Sequence, residues 1–374
     1  MTLKSPLNNI HKKIGAKFTE FAGFEMPLQF TSIKDEHLTV RKKVGIFDVS
    51  HMGNVWIKGK DAEKLLSLTT MEDSSRIGVG KSQYTTILNE NGTIIDDTIF
   101  MHVDERFMLI PNAGQSKIVT NWINKQAKKH NLDAEAKNVS REYVILAVQG
   151  PKTRETLKKL TNEDLRNIGF FGCKKIKFAG FNVIISFTGY TGELGYELQI
   201  NNFDDAEKIF NKILKSGEEF NIKPIGLGAR DTLRMEKFFL LAGNEFEGGR
   251  TPLEANLGFF INWDNDFIGK EALLKQKEKG NYERLTALLC QEKGIPRHGC
   301  IVEKEGEKIG VVSSGTMSPC LNKGIAMAYI KPDYIKVDNT AEIIVRNRKI
   351  KAKMIKPPFV SKEWADKNLS LIHI

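Results

Sequence analysis

Two adjacent carboxylates, Asp96 and Asp97, stand inside "ENGTIIDDTIF" (residues 90–100). Asn91 and Gly92 form a strong hairpin signal, and the apolar run after them predicts a strand from 93 to 100. Aspartate has poor strand propensity, and successive strand residues point to opposite faces. One of the pair must therefore face a packed side, which is costly unless the carboxylate is paired or used. The competing reading is a solvated pair at a strand end.

A second group is "TGYTGELGYE" (188–197). Gly189, Gly192 and Gly195 permit a sharp turn or a close approach of the backbone to a ligand, with Tyr190 displayed at the turn and Glu193 and Glu197 on either side. A tyrosine and a carboxylate beside open backbone suit a flat, donor-rich heterocycle. A decorated hairpin would look the same. The third group is "GLGARDTLRMEKFF" (226–239), which sets Arg230, Arg234 and Glu236 on a helix with an apolar opposite face. Those charges either form an ion-pair network or free an arginine to orient a ligand carbonyl.

Several elements must position these groups. Residues 18–30, "FTEFAGFEMPLQF", read as a buried strand-turn-strand. A helix follows, capped at Ser32, with Ile33, Leu38, Val40 and Val44 inward and Gly45 ending it. A strand leads into a helix from about Asp61, strands recur near 84–88, 93–100 and 107–111, and an amphipathic helix spans 116–129. The stretch 52–138 is thus a compact α+β unit. Beyond it come a strand with a Gly150-Pro151 break, two strands joined by the glycine-rich turn, and a helix carrying Ala206, Ile209, Phe210, Ile213 and Leu214 inward. The helix from Leu227 is expected to run to Gly243. After about Asn281 short strands and turns replace helices, as in an all-β domain.

The 374 residues carry a formal net charge of +10. That balance fits an anionic partner or simply many solvated lysines. No basic patch is interleaved with aromatics, so no nucleic-acid partner is expected. No apolar run reaches the roughly 18 residues of a membrane span, and the first residues lack the apolar core of a signal peptide, so neither a membrane nor an export route is expected. Cys173, Cys290, Cys300 and Cys320 have no metal-ligand spacing and read as reduced thiols of a cytoplasmic protein. Other motifs fail. "GVGKS" (78–82) lacks the leading glycine of a phosphate-binding loop and runs into a strand. His51 has no second ligand at helical spacing, and nothing marks Ser50 as a nucleophile, so no metal is expected.

These residues closely resemble the glycine cleavage system T-protein family, the folate-binding aminomethyltransferases. The resemblance runs in order through "GAKFTEFAGFEMPLQF", "RKKVGIFDVSHMG", "YTTILNENGTIIDDTIF", "LAVQGPK", "TGYTGELGYE", "GLGARDTLRME", "NWDNDFIGKEAL", "SSGTMSPCLNKGIAMAYI" and "PPFV". It implies an α+β, three-domain, cloverleaf-like fold with a C-terminal all-β, barrel-like domain and a central folate channel. Residues 1–51 would join 139–250 in one discontinuous folate-binding domain. Residues 52–138 would form the domain carrying the acid, and 251–368 a linker and the all-β domain.

The implied reaction moves the aminomethyl carbon from the lipoylated H-protein to tetrahydrofolate. It yields 5,10-methylene-tetrahydrofolate, ammonia and dihydrolipoyl H-protein; the P-protein and L-protein are partners only indirectly. By resemblance Asp97 is the catalytic aspartate, with Asp96 facing the other way. Glu197 matches the residue at the pterin edge, Arg230 the arginine that fixes the ligand, and Met52, Tyr84, Asn112 and Tyr190 the pocket lining. Met101 and Phe239 stand where some members carry tyrosines, and Ala242 replaces a common tyrosine. Demethylase relatives lack the "IIDDTI" setting, and cluster-assembly relatives carry a signature absent here. The ending "LSLIHI" (369–374) lies past the family's usual end, reads as a translated sequencing adapter, and is expected to be non-native.

Overall fold

The computed structural model describes residues 2–246 and 248–361; the expected non-native ending lies outside them. Alternation along the strands builds a mixed six-stranded sheet in the order Cys173–Phe178, Phe181–Ser186, Gly195–Ile200, Val144–Gln149, Gly45–Asp48, Lys223–Ile225. All its pairings are antiparallel except the last. On one face Ile46, Leu146, Val148 and Leu198 pack against Ala206, Ile209, Phe210 and Ile213 of the helix Phe203–Gly217. Asn202 caps that helix by accepting the Asp204 N–H. On the other face Phe47, Val49, Ile145 and Ala147 meet Ala229 and Leu233 of the helix Leu227–Glu236. Glu197, Ala147 and Phe47 lie abreast on neighbouring strands, so Glu197 emerges on this second face.

A five-stranded antiparallel sheet runs in the order Ser82–Leu88, Ile94–Val103, Arg106–Ile110, Val55–Lys58, Glu135–Asn138. Its turn uses Gly92 at φ +76°. Phe100, Leu109, Val55 and Ile57 pack under Leu65 and Leu66 of the helix Ala62–Thr69 and under Val119 and Ile123 of the helix Ser116–Lys129. Met101 and Val103 face the other way, toward Cys173 and Ile184 of the six-stranded sheet. Counting back by twos, Asp96 falls on the helix side with Phe100, and Asp97 on the side turned to the larger sheet.

The last six strands of the described residues close into a barrel, Arg284–Cys290 to Arg348–Ile355. Val302, Ile309, Val312, Ala328 and Ile343 fill it, while Leu285, Met327 and Tyr329 pack outward on Met235, Phe246 and Leu253. Among the described residues no helix is long and apolar enough to cross a membrane.

Three local expectations are corrected. The helix from Leu227 ends at Glu236, not near Gly243. Phe238 adopts φ +64°, and Arg234 and Glu245 take up the Phe239 carbonyl and the Leu241 N–H that a continuing helix would have used. The helix Ile33–Lys42 is capped by Ser32, and Val40 and Val44 are buried as expected. It ends at Lys42, before Gly45, and Ile33 and Leu38 are only half-buried. Glu36, His37, Thr39 and Arg41 share the buried face, because this helix docks on the helix Leu227–Glu236 through polar contacts. The hairpin Lys17–Phe21 with Phe24–Gln29 is mostly half-exposed, because part of it borders a cavity.

Candidate active site

Between the two sheets, closed by residues 255–260 and by the segment that follows the last barrel strand, lies a cavity of about 1580 Å³. Met52, Tyr84, Asp97, Asn112, Tyr190, Glu197 and Arg230 all line it, with Met101, Phe239 and Ala242.

Asp97 is held from two sides. Tyr84 lies on the neighbouring strand, and its Oη donates to Asp97 Oδ2 at 2.8 Å. Asn112, just past the strand Arg106–Ile110, places Nδ2 2.5 Å from Asp97 Oδ1. The same Asn112 donates its backbone N–H and Nδ2 to the two oxygens of Asp96, each at 2.9 Å. Asp96 is fully buried and does not border the cavity; it anchors the asparagine that orients Asp97. Burial pushes the Asp97 carboxyl up to about 6 against the pull of the Tyr84 and Asn112 bonds. Burial and the charge of Asp97 hold Asp96 well above the usual carboxylate range. The cavity wall thus carries a carboxylate poised to change protonation near neutral pH.

Glu197 receives a hydrogen bond from Thr188 Oγ1 to Oε2 at 2.5 Å, and among the described residues Oε1 has no hydrogen-bond partner. The charges of the helix Leu227–Glu236 divide. Arg234 pairs with Asp231 at 2.8 Å and with buried Glu245 at 2.9 Å, and Glu236 pairs with His37 and Arg41. Arg230 makes no ion pair among the described residues. Its guanidinium lies 4.5 Å from the Tyr190 ring centroid at the cavity wall. Burial lowers its pKa, opposed by Tyr190 and Glu197. Tyr190 is fixed by donation to the Leu240 carbonyl and by stacking on Phe239 at 5.9 Å. An acceptor-only carboxylate, a donor-only guanidinium and two flat rings thus share one wall, as a planar ring with donor and acceptor edges requires.

Among the glycines of 188–197, Gly192 makes the expected turn at φ +70°, and Gly189 and Gly192 border the cavity; Gly189 and Gly195 have a further reason. A Cβ on Gly189 or Gly195 would lie 2.1 or 2.2 Å from Gln149, whose buried amide donates to the Thr188 carbonyl and accepts from Thr191 Oγ1. The close approach is to a side chain of the protein.

Sequence reading missed His51, Phe21 and Phe260 as cavity lining. The mixed aromatic and polar make-up of residues 18–30 was a signal for Phe21; a lone histidine carries none. His37, Glu236 and Cys320 bring metal-ligating atoms within 4.8 Å of one another. Both Glu236 oxygens are already occupied, one by Arg41 and His37 and the other by Ser318 and the Cys320 N–H. Arg41 supplies positive charge there, and the cluster forms an ion-pair knot.

The family model described as "GCVT N-terminal domain" matches residues 7–265, and "Glycine cleavage T-protein C-terminal barrel domain" matches residues 283–361. The chain belongs to the glycine cleavage T-protein family. Curated relatives named "Aminomethyltransferase" include that of Flavobacterium psychrophilum, 43% identical over 95% of this chain and 99% of its own length. Another is that of Bacteroides thetaiotaomicron, 45% identical over 95% of this chain and 99% of its own. The crystal structure of glycine cleavage system aminomethyltransferase T from Bartonella henselae superposes with a TM-score of 0.89 at 30% identity, covering 96% of this chain and 98% of that one. The α+β architecture with its C-terminal barrel is that of the T-protein family.

Proposed function

We propose that the cavity binds tetrahydrofolate and that Asp97 is the catalytic residue of this glycine cleavage aminomethyltransferase. The observation that carries this reading is a carboxylate fixed on the cavity wall by Tyr84 and Asn112 and poised near neutrality. The lipoylated H-protein delivers its carbon as a thioether-linked aminomethyl group. The methylene carbon ends between two folate nitrogens, the sulfur regains a proton, and ammonia leaves with the nitrogen. Both folate N–H protons must be removed, one to the thiolate and one to ammonia. Asp97 orients the attacking amine, offsets the positive charge that develops on it, and passes its proton on. Glu197 and Arg230 hold the ring, Glu197 accepting from its N–H groups and Arg230 donating to its carbonyl. Met52 and Tyr190 supply apolar wall. A positive net charge favours an acidic carrier and the glutamate tail of folate. All four cysteines are free, in keeping with a reducing cytoplasm.

Incubation with aminomethylated H-protein and tetrahydrofolate should release ammonia at a rate that depends on both; release no faster than a blank contradicts the assignment. Glu197→Gln should weaken tetrahydrofolate binding about 10- to 100-fold by calorimetry, the effect of losing charge-assisted hydrogen bonds. Affinity within about twofold of the parent would remove Glu197 from the binding edge.

The pH profile follows from Asp97. With its carboxyl near 6, the ionised form is lost as pH falls through that value, so kcat/KM should drop about tenfold per unit on the acid side. Tyr84 donates to the ionised form and lowers this pKa. Tyr84→Phe should therefore move the acid limb upward by about one unit. A limb that stays in place or moves down contradicts the coupling.

A further inference from the structure

The loop after Gly45–Asp48 sets His51 into the cavity wall, where it is 4% exposed. Its ring meets Phe21 edge-on at 5.6 Å. Among the described residues neither ring nitrogen has a hydrogen-bond partner, and Nδ1 is buried. The other buried histidines are each held by a carboxylate. His37 is bonded through both nitrogens, to Thr232 and Glu236, and His11 is fixed through Nε2 by Asp48 at 2.8 Å, although its Nδ1 is likewise unpartnered among the described residues. Burial and the charge of Arg230 press the His51 pKa down to about 3, against the pull of Asp48. The imidazole is therefore neutral, with one nitrogen donating and the other accepting.

Glu197 can only accept and Arg230 can only donate. A reduced pterin carries both ring N–H groups and acceptor nitrogens, and a neutral imidazole can meet one of either kind through a single nitrogen, according to its tautomer. Nothing else at this position needs a polar ring: the packing against Phe21 would be met equally by phenylalanine. With Nδ1 enclosed, Nε2 is the ring nitrogen left open to a bond from the cavity.

We propose that His51 is a binding residue that hydrogen-bonds the heterocycle of the cavity's ligand. The proposal rests on the reading that this ligand is tetrahydrofolate. His51→Phe keeps the edge contact with Phe21 and removes both polar atoms, while His51→Gln returns a donor and an acceptor. Calorimetry with tetrahydrofolate should show a Kd about tenfold weaker for His51→Phe and within about threefold of the parent for His51→Gln. The KM for tetrahydrofolate should rise in step while kcat and the KM for H-protein stay within about twofold. A purely structural histidine would instead lower thermal stability and move all three constants. His51→Phe binding as tightly as the parent overturns the proposal. Should that variant not fold, ring-15N-labelled parent protein, assigned with His51→Gln, decides: tetrahydrofolate should shift a His51 nitrogen, and an unmoved signal overturns it. A parent protein that binds no tetrahydrofolate would sink the functional reading itself, a result distinct from either.

Discussion

Asp97→Asn is expected to lower turnover by about 10²- to 10⁴-fold while leaving tetrahydrofolate affinity within about threefold. Asparagine has the same size and keeps an oxygen for Tyr84 or Asn112, so the wall retains its shape. What disappears is the negative charge beside the amine and a group able to carry its proton. A loss confined to kcat, and equal in kcat/KM, identifies an interaction made chiefly in the transition state. Single-turnover ammonia release with saturating tetrahydrofolate isolates that step. An affinity loss as large as the rate loss would make Asp97 a binding or structural group, and turnover within about tenfold of the parent would remove it from the chemistry.

The second large effect concerns stability. Glu236 is completely buried and accepts from His37 at 3.0 Å, Arg41 at 2.9 and 3.1 Å, Ser318 at 2.6 Å and the Cys320 N–H at 3.1 Å. Arg41 also donates to the Thr191 carbonyl and to Glu193. One carboxylate thereby joins the helix Ile33–Lys42, the turn that presents Tyr190, and the barrel. Glu236→Ala leaves Arg41 and His37 buried with their shared acceptor gone and should cost about 3–5 kcal/mol in urea unfolding. A cost below about 1 kcal/mol would show that the knot is replaceable. Burial would raise the Glu236 carboxyl, but His37 and Arg41 more than offset this and hold it at about 2, below its ordinary 4.5. The folded state favours the ionised form. This contribution is therefore complete above about pH 4.5 and is lost as pH falls toward 2.

Local turn chemistry made much of the smaller sheet legible. Asn91 and Gly92 marked the hairpin, which Asn89 also holds by accepting the Asn91 and Thr93 N–H groups, and the apolar spacing of residues 116–129 matches the helix Ser116–Lys129. Asp97 stood out because an aspartate in an apolar strand breaks a local preference. Asn112 has no such local mark, and only resemblance pointed to it. The polar seam of the helix Ile33–Lys42 was illegible because its partner, Glu236, lies about two hundred residues away. The end of the helix Leu227–Glu236 was hidden for a related reason: "KFFLLAG" keeps an apolar pattern, and the groups that capture its backbone act through the fold. The glycine-rich segment was legible as a turn, but the packing of Gly189 and Gly195 on Gln149 was not, because Gln149 sits on another strand.

The central claim is that Asp97 faces the reacting nitrogens of folate, and a structure of the complex with tetrahydrofolate tests it most directly. A carboxylate oxygen of Asp97 should lie within about 3.5 Å of N5 or N10, with Tyr84 and Asn112 still bonded to it. A pterin seated with those nitrogens far from Asp97, or a carboxylate turned out to bulk water, would contradict the account.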